Sequence, residues 1–129
     1  VQAMGNVKID VKNMNIDLLS MSAHKFYGPK GIGALYVRKG VLFEKIQDGG
    51  HQEKDKRAGT ENVASIVGMG KAIDLAYDNF EGKNNRLMIL RERLINGVME
   101  RIPCVKLNGH RTKRLAGNVN FSFILLPPF

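Results

Sequence analysis

The sequence predicts an α/β fold, and three observations carry that prediction. Two apolar runs of strand length bracket a Gly/Pro loop near the N-terminus, residues 63–77 place apolar side chains at helical spacing, and residues 87–98 do so again. Residues 1–15 read as a short connection into the first run, Ile16 to Ser22. The Gly28-Pro29 pair and Gly31 mark Ala23–Gly31 as a loop. A second strand follows over Ile32–Arg38 and is ended by Lys39-Gly40. Residues 48–60 form a long polar stretch without hydrophobic period, which reads as a loop.

Thr60 is expected to cap the helix whose apolar positions are Val63, Ile66, Val67, Ile73 and Tyr77. Gly68 and Gly70 weaken that helix and imply close packing against a neighbour. The polar run Glu81-Gly82-Lys83-Asn84 reads as a break. It puts the domain boundary between residues 81 and 82, giving segments 1–81 and 82–129. Leu87, Leu90, Leu94 and Val98 share one face of a second helix, which Pro103 ends. Val105 and Leu107 suggest a strand, Asn108-Gly109 a turn, and Asn118–Ile124 a further strand.

With 43% hydrophobic and 25% charged residues in 129 positions, the chain has the composition of a globular domain. No apolar run approaches the ~18 residues of a membrane span. The start has neither the basic nor the apolar part of a signal peptide. Because residue 1 is Val, the chain is expected to begin inside a larger protein. The apolar Leu125-Leu126-Pro127-Pro128-Phe129 reads as a truncated end. The single cysteine, Cys104, excludes an intrachain disulfide framework and fits a reducing cytoplasm. A net charge of +8 favours acidic or phosphate-bearing partners. Its basic residues are scattered, however, and six Phe and three Tyr are accompanied by no Trp, a poor pattern for nucleic-acid binding.

The chemistry-bearing residues cluster at Ser22, His24 and Lys25, where the first strand runs into the Gly/Pro loop. A Schiff-base lysine must be held in place and partly deprotonated by its surroundings. Ser and His beside it are suited to binding a phosphate. Ser-x-His-Lys alone is a weak signal, because such a strand end is ordinarily a set of solvated polar groups.

The longer run from Asp17 to Val37, with Ser22-Ala23-His24-Lys25-Phe26-Tyr27-Gly28-Pro29-Lys30-Gly31-Ile32-Gly33 at its centre, resembles the cofactor-lysine segment of NifS/IscS-type cysteine desulfurases. These are pyridoxal-phosphate enzymes of the class V aminotransferase group. A second segment, Gly49-Gly50-His51-Gln52-Glu53 through Arg57-Ala58-Gly59-Thr60-Glu61-Asn62, resembles that family's next signature, in the right order and at the right distance. The similarity extends from residue 1 to about residue 123.

The resemblance implies a fold-type-I enzyme, with the end of the large cofactor domain in 1–81 and the start of the small domain in 82–129. It implies pyridoxal 5'-phosphate as cofactor, L-cysteine as substrate, a homodimer and a sulfur-acceptor protein in iron–sulfur or thiolation pathways. Lys25 would carry the cofactor and move protons at the substrate's alpha and gamma carbons. Ser22 and His24 would hold the cofactor phosphate, Gln2 would bond the ring hydroxyl, and Thr60 would reach the phosphate of the neighbouring subunit. A helix N-terminus at Thr60 would suit an anion independently. The ring-nitrogen aspartate and the stacking histidine would precede residue 1. The nucleophilic cysteine and the carboxylate-binding arginine would follow residue 129, so that this chain alone is expected to be inactive.

Other readings remain beside this one: another class V aminotransferase, a selenocysteine lyase, a non-catalytic fragment or a basic nucleic-acid module. Cys104, at the start of a strand, reads as a small buried hydrophobe rather than a nucleophile. His51 and Arg57 read as loop residues. His110 has no partner at metal-ligand spacing, so no metal site is expected.

Overall fold

A computed structural model describes residues 1–124; the apolar end at 125–129 lies outside the described residues. The chain forms two compact units, one over Val1–Asp78 and a second from Asn79 onward. That division falls three residues before the expected boundary.

In the first unit, strand β1 (Leu18–Ser22) pairs antiparallel with β2 (Gly33–Val37), from Leu18 opposite Val37 to Ser22 opposite Gly33. The open end is fastened twice: Arg38 donates its backbone N–H to Asp17 O at 2.8 Å, and its guanidinium pairs with the Asp17 carboxylate at 3.1 Å. The expected loop at the closed end begins instead with one 3-10 turn, Ala23–Phe26. Three residues per turn put Ala23 and Phe26 on the same side. Both are buried, at 0% and 2% exposure, and this side-by-side burial is what holds the turn.

Helix α2 (Val63–Tyr77) supplies the other half of the core, where Met69 and Ala72 join Met4, Ala23 and Phe26. Close packing occurs at one of its two glycines. A Cβ on Gly68 would lie 2.8 Å from Pro29 Cγ, whereas one on Gly70 would meet nothing within 4 Å. Thr60 is not the helix cap. Asn62 takes that place, its Oδ1 accepting from Ser65 N at 3.2 Å. The helix begins two residues later than expected, so the cap falls to Asn62, a residue type at least as well suited to it.

Residues 1–15 are more ordered than a plain connection. Ala3 O accepts from Asn6 N and Val7 N, and the Asp10 carboxylate accepts from the backbone N–H groups of Lys12 and Asn13, both at 3.0 Å. The backbone bond from Asn13 holds the Asp10 carboxyl below its ordinary value against the opposing effect of desolvation, with a lesser contribution from the Lys12 bond. The polar stretch 48–60 contains one turn, α1 (Gln52–Asp55), with Glu53, Lys54 and Asp55 at positive φ. The His51 imidazole meets the Asp55 carboxylate across this turn.

In the second unit, α3 (Phe80–Arg101) runs through the expected break at 81–84. Glu81, Gly82 and Lys83 are exposed on its first turns, where polar side chains are compatible with helix. Ile102 is extended, as a residue before proline prefers, and the helix stops there. Strands β3 (Val105–Leu107) and β4 (Phe121–Phe123) pair antiparallel, so the second of these is shorter than the expected 118–124. The side of α3 that is buried carries Arg91 and Ile95. Leu87, Leu90 and Leu94 of the expected apolar face lie on this helix and are 40–51% exposed.

The buried Arg91 guanidinium is satisfied by Glu92 and by the carbonyl of Leu115 at 3.2 Å, which ties the 110–115 loop to the helix. Glu92 also pairs with Arg111. Cys104 is exposed, not buried: at φ 57° it lies in the turn between Pro103 and β3, before the strand's alternation begins. Among the described residues no helix is long and apolar enough to cross a membrane, and no group of His, Cys, Asp and Glu could hold a metal ion.

Candidate active site

Ser22, His24 and Lys25 sit where β1 passes into the 3-10 turn. Ser22 is still extended, with φ −133° and ψ 125°, and the next residue begins the turn. Because Ala23 and Phe26 face the core, His24 and Lys25 face outward, and both are exposed. The Ser22 hydroxyl reaches back to His24 Nδ1 at 2.8 Å. A hydroxyl and an imidazole are therefore paired, with an exposed amine next in the same turn, and each of these groups has a proton to donate to an anion.

The turn is fixed from both sides. Ala23 N donates to Ile32 O at 3.0 Å, and Gly28 N donates to Ala23 O at 2.9 Å. Tyr27 closes it in the left-handed region at φ 65°, its side chain fully exposed. At Gly28 a side chain would lie 2.9 Å from Ala23 Cβ and 3.1 Å from Ala72 Cβ, so glycine is required for helix α2 to approach. At Gly33 a Cβ would be 2.5 Å from Met21 O, which reserves that position as well.

Gln2 is exposed, and its backbone carbonyl accepts from Asn6 Nδ2 at 3.0 Å. Its side chain makes no hydrogen bond to Ser22, His24 or Lys25. The bend that follows it does reach the turn: a Cβ on Gly5 would lie 3.2 Å from Phe26 Cβ. Thr60 is exposed beyond a loop held by Arg57, which donates to Ala58 O at 2.9 Å and Gly59 O at 3.1 Å. It makes no hydrogen bond to Ser22, His24 or Lys25. The structure thus pairs Ser22 with His24, with Lys25 next to them in the turn, and bonds neither Gln2 nor Thr60 to that pair.

These residues fit a phosphate-bearing aldehyde. The amine is exposed for attack, the hydroxyl and imidazole are paired beside it, and the glycines leave the backbone close on either side. A surface depression lined by Lys71, Ile73, Asp74, Leu75, Tyr77 and Asp78 contains none of them. Sequence reasoning missed two supporting residues. Asn62 is legible as an Asn directly before a helix, whereas Tyr77 reads only as one more apolar position of α2.

The Aminotransferase class-V family model matches residues 1–128. The cysteine desulfurase IscS of Clostridium botulinum (strain Hall) is 63% identical over 126 residues, 96% of this chain and 32% of the relative. That of Methanosarcina thermophila is 58% identical over 95% of this chain and 30% of the relative. Among solved structures, a NifS-like protein from Rickettsia africae is similar at a TM-score of 0.89 and 31% identity, over 95% of this chain and 34% of that one. Another NifS-like protein gives 0.88 and 34%, over 95% and 33%. The chain thus spans about a third of the length of the relatives it matches. Its fold is the corresponding part of the fold-type-I architecture, and it belongs to the class-V aminotransferase family of pyridoxal-phosphate enzymes, among relatives named as cysteine desulfurases.

Proposed function

We propose that this chain carries the cofactor-lysine segment of a cysteine desulfurase whose whole protein takes sulfur from L-cysteine and leaves alanine. The observation that supports this best is the 2.8 Å hydroxyl–imidazole pair of Ser22 and His24, followed in the same turn by the exposed Lys25, in a chain of this family. Residues 1–81 belong in this reading to the large cofactor domain, and 82–129 to the small domain.

Pyridoxal phosphate, when bound, supplies an electron sink for negative charge at a substrate carbon. The Lys25 amine anchors it covalently and afterwards carries a proton to and from the substrate alpha carbon. Ser22 and His24 donate to the phosphate, and their mutual bond fixes the imidazole ring for that purpose. Gln2 donates to the ring hydroxyl. Thr60, which is exposed and hydrogen-bonded to none of these residues, serves the phosphate of a neighbouring subunit in a homodimer. The sulfur passes through an enzyme persulfide to an acceptor protein, in the cytoplasm, for iron–sulfur cluster or thiolation pathways.

The family also includes aminotransferases, which would use the same lysine, so product analysis is the deciding test. The full-length protein supplied with L-cysteine, pyridoxal phosphate and a thiol reductant should form alanine and sulfide in equal amounts. Formation of a keto acid without sulfide would favour the aminotransferase. The 129-residue chain by itself should give no multiple turnover.

A further inference from the structure

We propose that the Tyr77 hydroxyl is a positioning group for the cofactor site, holding the bend that follows Gln2 in register with the turn that carries His24 and Lys25. The inference rests on the reading of Lys25 given above and adds a residue to it. Tyr77 ends α2, and its Oη donates to Val7 O at 3.0 Å while accepting from Gly5 N at 3.4 Å. One side chain thus satisfies a donor and an acceptor of a bend some 70 residues earlier in the chain.

That bend lies against the site-bearing turn. Met4 shares the core with Phe26, the residue after Lys25, and Gly5, at φ 75°, leaves space for only a hydrogen where a Cβ would press on Phe26. Apolar packing of Met4 on Phe26 is non-directional and does not fix the rotation of the bend. A hydroxyl that bonds both Gly5 N and Val7 O does fix it, and with it the direction from which the chain arrives at Gln2. A phenylalanine at 77 would fill the same volume, so the hydroxyl is not needed to complete the core. Its removal leaves two half-buried backbone groups without this partner.

The test uses the full-length protein in four forms: unaltered, Tyr77→Phe, Gln2→Ala and the double variant. The readouts are apoprotein affinity for pyridoxal phosphate, the pH midpoint of the visible cofactor band, and thermal stability. Tyr77→Phe should weaken cofactor binding about fivefold, the worth of one ordinary hydrogen bond. It should also move the pH midpoint in the same direction as Gln2→Ala, and add little to Gln2→Ala in the double variant. Lowered stability with an unmoved midpoint, or fully additive effects, would overturn the proposal. If Tyr77→Phe does not fold, hydrogen exchange of residues 3–9 in the unaltered protein decides the matter. Slower exchange on cofactor loading supports the link, and unchanged exchange overturns it. Cofactor bound at a lysine other than Lys25 would instead sink the proposed function, whatever Tyr77 does.

Discussion

The Ser22 hydroxyl lies 2.8 Å from His24 Nδ1, two residues along a chain that changes from strand to 3-10 turn between them. In an uninterrupted strand these two side chains would stand on one face with no reason to bond. The turn brings them together beside Lys25. If both hold one phosphate, they act as a unit. Ser22→Ala and His24→Ala should each weaken pyridoxal phosphate binding in the full-length protein by about tenfold or more, as loss of a hydrogen bond to a charged group does. The double variant should fall well short of the product of the two losses. A titration of apoprotein absorbance checks this.

Helix α2 depends on Asn62, whose side chain accepts from Ser65 N, and not on Thr60. Asn62→Ala should lower stability by about 1 kcal/mol, the ordinary cost of losing an N-cap, while Thr60→Ala should leave the denaturation midpoint unmoved. The proposed role of Thr60 is tested separately. Mixing full-length Thr60→Ala and Lys25→Ala subunits should restore activity through hybrid dimers that contain one undamaged site.

Much of this was legible in the sequence, for reasons that can be named. β1 and β2 were readable because apolar runs at Leu18 and Leu35 flank Gly28-Pro29, whose backbone requirements are local. Lys25 stands out in the sequence because a long motif surrounds it, and the structure puts it in an exposed turn. The missed features depend on distant parts of the chain. Whether Glu81–Asn84 breaks a helix is decided by what packs beside it, and a polar helix surface has the same composition as a loop. Cys104 was expected to be buried because Val105 and Leu107 alternate after it, but it lies at positive φ in the turn before the strand begins, where that alternation does not apply. Tyr77 matched the apolar period of α2, and that period contains nothing about Gly5 or Val7.

In the second unit, the hydrogen bond from Arg111, then that from Arg91, hold the Glu92 carboxyl below its ordinary value of 4.5. The unfolded chain therefore takes up this proton at higher pH than the folded one. The contribution of Glu92 is fully present above that ordinary value and is lost as pH falls through the depressed folded value. Glu92→Gln should accordingly cost stability near neutral pH and cost less in acid, below the ordinary carboxyl value. Urea midpoints of the two proteins at both pH values check it; a gap that widens in acid would contradict the assignment.

Cys104 is exposed in the turn before β3 of the second unit, and the proposed function gives it no part in the chemistry at Lys25. Cys104→Ser in the full-length protein should leave sulfide release from cysteine within about twofold, as surface substitutions away from a site do. Loss of turnover in that variant would make Cys104 the nucleophile.

The identity of the cofactor lysine is tested most directly by covalent trapping. Full-length protein loaded with pyridoxal phosphate is reduced with borohydride, digested, and its labelled peptides are mapped by mass spectrometry. The label should fall on Lys25 alone, within the Ser22–Gly33 segment. Label spread over the other lysines, or concentrated on a different one, would contradict the assignment of this turn as the active site.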